Sequence, residues 1–414
     1  MQDAPFGVIE GFYGDPWTWQ ERADCIDSLA AWGADTYVWA PKSEPRHRDL
    51  WEEPFTRAET EGFRMLAARD ARVRVSVALT PGNDATVDAV IRKLAPAMEA
   101  GCTAVTLCFD DLPVLGAAHR HRDLANGVHR LTGSAVWLVP THYAGTRGSP
   151  YLDALVDGLD GSVLLMWTGT HVVNDSITAA EATDRAAATG GRPPLVWDNV
   201  PVNDAMMTDH LHMGPFAGRD DALRRECAGF LLNPMVSQRA SMPTIRSACA
   251  WWRGEDHVAA WSEEATAAGL LLLAQATSYP GDPHWPGDDP GTEWLEEVAA
   301  MADTGDPDLD PWVQAARRGA SISLHAMNVI GSVARGVPAS DLARDVRALS
   351  GLREWLRLPS RTLGAGPRTR PFFTQDASGR FAPTGGVVRM TRSIPESLAE
   401  RALAALDAPA GGAR

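Results

Sequence analysis

The chain has 414 residues, is 45% hydrophobic and 22% charged, and carries 53 acidic against 38 basic residues, for a net charge of −15. That composition fits a globular protein with one large domain and room for a smaller one. The acidic surplus, with no long single-sign block, argues against a nucleic-acid binder, which needs basic side chains on phosphates, and against a binder of anionic membranes.

The N-terminus, MQDAPFGVIEGFYG, runs straight into a strand-like segment and shows neither the basic stretch nor the apolar core of a signal peptide. The most apolar helix candidate, Ala265–Ala276, is too short to span a bilayer. A soluble, cytoplasmic protein is the expectation. Five scattered cysteines (Cys25, Cys102, Cys108, Cys227, Cys249) lack CxxC spacing and read as buried free thiols.

In chain order, the first apolar run is Phe6–Ile9. A helix should follow, with Asp15 as N-cap, Pro16 at its first position and Gly33 as its stop. Thr36–Trp39 is the second strand, then a helix over Thr60–Arg72. Val73–Leu79 precedes a helix over Asp84–Ala100. Further strand-like runs are Ala104–Phe109, Val136–Val139, Val163–Trp167, Leu195–Trp197 and Gly229–Leu232. Eight such runs, at intervals of roughly thirty residues with helical patterns between most, fit a (β/α)8 TIM barrel of about 250 residues. A doubly wound open sheet is the alternative; no GxGxxG follows the first strand. From about Ser237 the chain turns helical and Trp-rich, over Pro243–Ala260, Glu263–Thr277, Trp294–Met301, Pro311–Val333, Ser340–Leu358 and Ile394–Ala408. A loop, YPGDPHWPGDDPG, interrupts it, and Pro359–Arg392 has room for a short hairpin. We therefore expect a catalytic barrel over 1–260 and a smaller, mainly helical C-terminal domain over 261–414.

A barrel carries its chemistry just after each strand. Those positions read EGFYG (Glu10–Gly14), APK (Ala40–Lys42), TPG (Thr80–Gly82), DD (Asp110–Asp111), PTHY (Pro140–Tyr143), TGT (Thr168–Thr170), DNVPVND (Asp198–Asp204) and NP (Asn233–Pro234). The adjacent pair Asp110–Asp111 stands out. On a regular strand, neighbours face opposite sides, so one carboxylate would meet the core. At the end of the strand both can turn toward a cleft. Two close carboxylates raise the pKa of one, which supplies a general acid near neutral pH. Ordinary retaining glycoside hydrolysis places its two carboxylates about 5–5.5 Å apart on opposite sides of the scissile bond, which suits adjacent residues poorly. Substrate-assisted hydrolysis, in which the sugar's 2-acetamido group is the nucleophile, suits them better. Taken alone, the pair could also be a helix cap, a turn or a divalent-metal site.

GVIEGFYGDPW (Gly7–Trp17), TYVWAPK (Thr36–Lys42), LCFDDL (Leu107–Leu112), PTHYAGT (Pro140–Thr146), WTGTHVV (Trp167–Val173), VWDNVPVND (Val196–Asp204) and LLNPM (Leu231–Met235) together resemble the family 84 glycoside hydrolases. These are β-N-acetylglucosaminidases that include protein O-GlcNAcase and bacterial hyaluronidase-type enzymes. The resemblance runs from Gly7 to about His257. It implies that Asp110 orients and polarises the acetamido group and that Asp111 is the general acid/base. It further implies that Tyr143 hydrogen-bonds the acetamide, Asn199 helps hold it, and Trp197 walls its pocket. Asp204, Asn233 and Lys42 would bind sugar hydroxyls, as would the Gly11 carbonyl, with Tyr13 on the same rim. Each of these residues taken singly has an ordinary structural reading as a turn, core or solvated residue.

Three features depart from the family pattern: SEP (Ser43–Pro45) after Lys42, His142 before the tyrosine, and a short apolar loop, LPVLGAAHRH, after Asp111. They bear on the leaving-group side. Among eleven histidines, neither His119/His121/His129 nor His210/His212 forms HExxH or another compact ligand set, and His119–His121 reads as a solvated helix start. Trp251, Trp252 and Trp261 read as core. The expectation is an exo-acting, retaining β-N-acetylglucosaminidase that needs no cofactor or metal. It would act through an oxazoline on a β-linked N-acetylglucosamine substrate, without a nucleic-acid or membrane partner, and a homodimer is implied by resemblance only. The alternative is a glycan-binding pseudoenzyme with the same pocket.

Overall fold

Eight short strands, β1 (Phe6–Glu10), β2 (Thr36–Trp39), β3 (Arg74–Leu79), β4 (Ala104–Cys108), β5 (Ala135–Val139), β6 (Leu164–Trp167), β7 (Leu195–Asp198) and β8 (Gly229–Leu232), pair in sequence order, all parallel. β1 also pairs with β8, with Gly7 opposite both Thr36 and Leu231, which closes the barrel. The structure is a computed structural model. It describes residues 4–111, 118–278, 285, 287, 289–360, 362–364, 373–375, 381–383 and 392–408.

The strands are almost wholly buried, as a sheet covered by helices on its outside requires. Ile9, Val38, Ala78, Ala104, Trp137, Met166, Leu195 and Leu231 belong to one apolar cluster that also reaches Tyr143 and Trp197. Gly7 is obligatory in this sheet, because a Cβ there would lie 1.8 Å from the Thr36 carbonyl oxygen.

The flanking helices are α1 (Trp19–Ala31), α2 (Arg57–Arg69), α3 (Val87–Glu99), α4 (Ala118–Thr132), α5 (Pro150–Val156), α6 (Ala179–Ala188), α7 (Leu223–Glu226) and α8 (Gln238–Arg253). The first starts later than its sequence suggests. Thr18, not Asp15, is the N-cap, because Thr18 and Glu21 form a reciprocal capping box. The residues before it are held as loop: the Trp17 backbone N–H donates to Glu10 Oε1 at 3.1 Å, and its indole donates to the Val236 carbonyl at 3.0 Å. Thr56–Glu59 and Thr178–Glu181 cap α2 and α6 in the same way.

The histidine cluster on α4 also differs from expectation. His119 is exposed, but His121 is buried. Its ring stacks on Phe109 with centroids 3.7 Å apart, and its Nδ1 meets the Tyr151 hydroxyl at 2.8 Å. Helical period explains this: two residues along a helix point in different directions. All five cysteines are free and buried.

The chain divides into two compact units, one of Met1–Ala205, Phe216–His257 and Arg370–Gly386, the other of Met206–Pro215, Val258–Thr369 and Val387–Arg414. The second contains α9 (His257–Ala267) from Val258 onward, α10 (Leu271–Ala276), α11 (Thr292–Ala299), α12 (Asp310–Ala334), α13 (Ala343–Leu349), α14 (Leu352–Trp355) and α15 (Ile394–Asp407). The long α12 is its axis. Ala316, Ala320, Ala326 and Val329 bury against Leu295, Trp355, Leu398 and Ala402. The single helix expected over Glu263–Thr277 is broken at Gly269, whose φ of +69° stops α9 before α10. β9 (Phe373–Gln375) and β10 (Phe381–Pro383) form an antiparallel pair in the tail. Most of the loop YPGDPHWPGDDPG lies outside the described residues. Trp251 and Trp261 are buried, and Trp252 stacks on Phe6. No helix among the described residues is long and apolar enough to cross a membrane.

Candidate active site

β4 ends at Cys108, two residues before the aspartate pair, so neither carboxylate is bound by strand alternation. Asp110 is buried and Asp111 is exposed. Asp111 has a φ of +55°, a left-handed conformation uncommon outside glycine, and this twist separates the two side chains.

Asp110 Oδ2 is ion-paired with Lys42 Nζ from the end of β2, and both side chains are buried. Burial opposes the lysine's charge. The Asp110 carboxylate nonetheless wins, with Cys108 and Asp111 adding to it, and the Lys42 pKa lies above the ordinary lysine value. The ammonium also lies 5.1 Å from the centre of the Trp197 ring. The other oxygen, Asp110 Oδ1, is buried and takes no hydrogen bond among the described residues. A buried carboxylate oxygen without a donor is costly, and it is chemically available to an N–H brought in by a ligand.

Asp111 is dressed differently. Its Oδ2 accepts from the Tyr13 hydroxyl at 2.8 Å and its Oδ1 from the Tyr143 hydroxyl at 3.0 Å. Arg48 Nη1 donates to the Tyr13 hydroxyl at 2.9 Å, which directs the phenol proton to Asp111. Burial, and then the Asp111 charge, push the Tyr13 pKa up to about 12, and the same two causes hold Tyr143 well above the ordinary phenol range. Both phenols are therefore neutral donors near pH 7.

The opposite wall comes from β1, β7 and β8. Asn199 Oδ1 accepts from the Trp197 indole at 3.1 Å and from Asn233 Nδ2 at 2.8 Å, and Asn199 Nδ2 donates to the Val172 carbonyl at 2.6 Å. Asn233 Oδ1 takes the Gly11 backbone N–H at 3.0 Å. Trp197 packs against the bare Gly11 backbone: a Cβ there would stand 2.2 Å from Trp197 Cζ2 and would displace the ring. Asp204 Oδ2 accepts the Tyr13 backbone N–H at 2.7 Å, and burial raises the Asp204 pKa. These contacts link all ten residues expected from the sequence into one cleft at the C-terminal mouth of the barrel. Asn199 and Asn233 spend much of their hydrogen-bonding capacity on each other and on the backbone.

Several residues went unnoticed in the sequence. Arg48 is one, reached through a loop whose charged residues look like surface. Asp198 and Arg219 are another pair. They form a buried two-pronged ion pair, with both bonds at 2.7 Å, and fix the end of β7 just before Asn199. Asp198 stands inside the WDN triplet, where its neighbours Trp197 and Asn199 carry an expected role and it carries none. Glu10 is a third, fully buried and bound by both prongs of Arg22 at 2.8 and 2.9 Å and by the Tyr37 hydroxyl. Of the departures from the family pattern, Ser43 Oγ accepts the Gly14 N–H at 3.2 Å, and His142 Nδ1 meets Ser149 Oγ at 2.7 Å. Residues 112–117 of the loop after Asp111 lie outside the described residues. Among the described residues, no three or more His, Cys, Asp or Glu side chains are grouped to hold a metal ion.

A family model described as beta-N-acetylglucosaminidase, NAGidase, matches residues 6–277. Protein O-GlcNAcase of Rattus norvegicus and of Mus musculus are each 30% identical over 299 residues, covering 64% of this chain and 32% of theirs. The chain thus spans about a third of the length of the curated relatives it matches. Among solved structures, a mutant of the Thermobaculum terrenum O-GlcNAc hydrolase superposes with a TM-score of 0.75 at 20% identity, over 97% of this chain and 93% of that one. The protein called CpGH84B gives 0.73 at 20% identity, over 86% and 74%. With a family model matching residues 6–277, about two thirds of its length, the chain belongs to the β-N-acetylglucosaminidase family, the family 84 glycoside hydrolases.

Proposed function

We propose that this protein is an exo-acting β-N-acetylglucosaminidase that removes terminal β-linked N-acetylglucosamine with retention, using the substrate's own acetamide as nucleophile. The observation that carries this reading is the division between the two aspartates. Asp110 is buried, paired with a lysine, and has one oxygen without a donor among the described residues. Asp111 stands exposed at the rim with a phenol on each oxygen.

In this reading Asp111 gives a proton to the leaving oxygen as the acetamide oxygen attacks the anomeric carbon and the glycosidic bond breaks. Asp110 Oδ1 accepts the acetamide N–H and stabilises the positive charge that develops there. Asp111 then takes a proton from the water that opens the oxazoline, which restores the acid and yields the β-configured sugar. Tyr143, with Trp197 and Asn199, shapes the acetyl pocket. Asp204, Asn233, Lys42 and the Gly11 carbonyl meet the sugar hydroxyls. The relatives' names, Protein O-GlcNAcase, favour a glycoconjugate substrate. The catalytic residues all fall within 1–260.

The test is initial rates on an aryl N-acetyl-β-glucosaminide and on the matching aryl β-glucoside, with Asp110→Asn and Asp111→Asn alongside. Turnover of the acetamido sugar alone, lost in both variants by orders of magnitude, is expected. Equal cleavage of both sugars by the unaltered protein would remove the acetamide from the mechanism.

A further inference from the structure

Arg185, on α6, is a buried cation with no carboxylate partner among the described residues. It is 1% exposed. Burial pulls its pKa down to about 10, with only Tyr151 acting the other way. A guanidinium stripped of water and counter-ion costs several kcal/mol, and a core position on a helix is filled more cheaply by an aliphatic side chain. The side chain is therefore doing something that leucine cannot.

Its donors show what that is. Arg185 Nη2 donates to the His142 carbonyl at 2.7 Å and Nη1 to the Gly145 carbonyl at 3.3 Å. These two carbonyls bracket Tyr143. From the other side, the turn is held by β6 and its extension. The Thr168 N–H donates to the Tyr143 carbonyl at 3.0 Å, the Trp167 indole to the Gly145 carbonyl at 3.0 Å, and the Gly145 N–H to Gly169 at 2.9 Å. The turn is thus gripped between two backbone hydrogen bonds and an indole N–H on one side and one guanidinium fork on the other. The hydroxyl that projects from it reaches Asp111 at 3.0 Å. α6 is itself anchored near this place, because Thr170 Oγ1 donates to its capping residue Glu181 at 2.8 Å.

We propose that Arg185 is a positioning residue, clamping the His142–Gly145 turn so that the Tyr143 hydroxyl is presented to Asp111 and, on the function proposed above, to the substrate's acetamide. Lysine keeps the charge but is a single point donor on a flexible stem and does not bridge two carbonyls as a fork does.

The experiment combines Arg185→Lys with Tyr143→Phe in a double-mutant cycle, reading kcat and KM on the aryl N-acetyl-β-glucosaminide. Backbone hydrogen exchange of the 140–146 segment is followed by mass spectrometry in the unaltered protein and in Arg185→Lys. The expected result is a kcat loss of about ten- to a hundredfold for Arg185→Lys, the scale of a displaced catalytic group. The double variant should fall no further than Tyr143→Phe, and exchange should speed up in 140–146 while strands β1 to β4 keep their protection. An Arg185→Lys loss of equal size with and without the Tyr143 hydroxyl overturns the proposal, as does exchange in 140–146 that is unchanged or rises only in step with the whole barrel. If the segment loosens alone while Tyr143→Phe turns over like the unaltered protein, the clamp stands and the role given to Tyr143 fails.

Discussion

Lys42 and Asp110 lie 68 residues apart in the chain and form an ion pair with side chains only 3% and 9% exposed. Removing one partner of such a pair leaves a bare buried charge and costs about 3–5 kcal/mol. Lys42→Met should lower the denaturant midpoint at pH 7 accordingly, and activity should fall with it because Asp110 loses the group that fixes it. The sign for pH follows from the direction of the shift. The Lys42 pKa is raised by folding, so the stabilisation from its charge is full below the ordinary lysine pKa and is lost as the pH rises from that value through the higher folded one. Denaturation curves of the two proteins at pH 7 and pH 9 should therefore differ by the same amount. A variant as stable as the parent would show that the pair is not a buried one.

On the proposed mechanism, Asp111 as general acid carries a leaving-group signature. General acid catalysis is worth about 10²–10⁴ in rate and is needed least when the departing oxygen is already a good leaving group. Asp111→Asn should lose most on an alkyl or weakly acidic aryl N-acetylglucosaminide and far less on a dinitrophenyl one. Asp110→Asn should lose on both alike. Rates across a series of aryl leaving groups check this; parallel losses for the two variants would exchange or merge their roles.

Tyr13 remains a neutral donor through the working range, since its pKa is pushed up to about 12 by burial and by Asp111. A raised phenol pKa means the protonated form persists, so no activity limb between pH 7 and 10 belongs to it. Tyr13→Phe should lower kcat/KM by about tenfold, the worth of a hydrogen bond to a charged group, and leave the alkaline limb where it was. Movement of that limb would mean the phenol titrates earlier.

Two glycines should separate fold from site. A Cβ at Gly7 would meet the Thr36 backbone at 1.8 Å, whereas one at Gly11 would meet the Trp197 ring at 2.2 Å. Backbone within a sheet has nowhere to go, so Gly7→Ala should fail to give stable protein. A ring can turn, so Gly11→Ala should cost about 1–3 kcal/mol and raise KM several-fold by displacing Trp197. Thermal melts and steady-state kinetics on both variants read the difference.

His121 should set part of the acid stability. Burial, with His119 adding to it, lowers its pKa from 6.5 to about 4. The unfolded chain then binds more protons than the folded one between those values, so this group makes stability fall as pH drops from about 6.5 to about 4 and adds nothing further below. At about 1.4 kcal/mol per pH unit, the contribution is on the order of 3 kcal/mol. His121→Gln, measured by urea unfolding at pH 7 and pH 4.5, should flatten that decline; an unchanged decline would assign it to other groups.

The barrel was legible because its signals are local. β-branched and apolar runs such as Val136–Val139 and Ala104–Phe109 state a buried strand within a few residues, and the polar residues that follow them mark the mouth where chemistry sits. The strand-end stretches that hold the adjacent aspartates, the tyrosine after β5 and the asparagines after β7 and β8 could be picked out for the same reason, but the roles of the tyrosine and the asparagines came from the resemblance to the family. Helix starts were less clear. Asp15–Pro16 looks like a beginning, but the reciprocal pair Thr18–Glu21 satisfies two backbone donors and takes the helix instead.

What the order of residues alone determined is therefore the set of strands, their sequence around the barrel and the positions that reach its mouth. What only the tertiary structure decided is which of those positions touch. Nothing near Asp110 in the chain announces Lys42, and nothing near Asp111 announces Tyr13, Arg48 and Tyr143 together. His121 and Arg185 look like surface residues until the groups they meet are in place: Phe109 just after β4 and Tyr151 from the next βα unit for His121, and the His142 and Gly145 carbonyls after β5 for Arg185. The physical reason is that propensity and period act over a few residues, whereas the pairing of buried charges and phenols is fixed only when β1 meets β8 and the barrel closes.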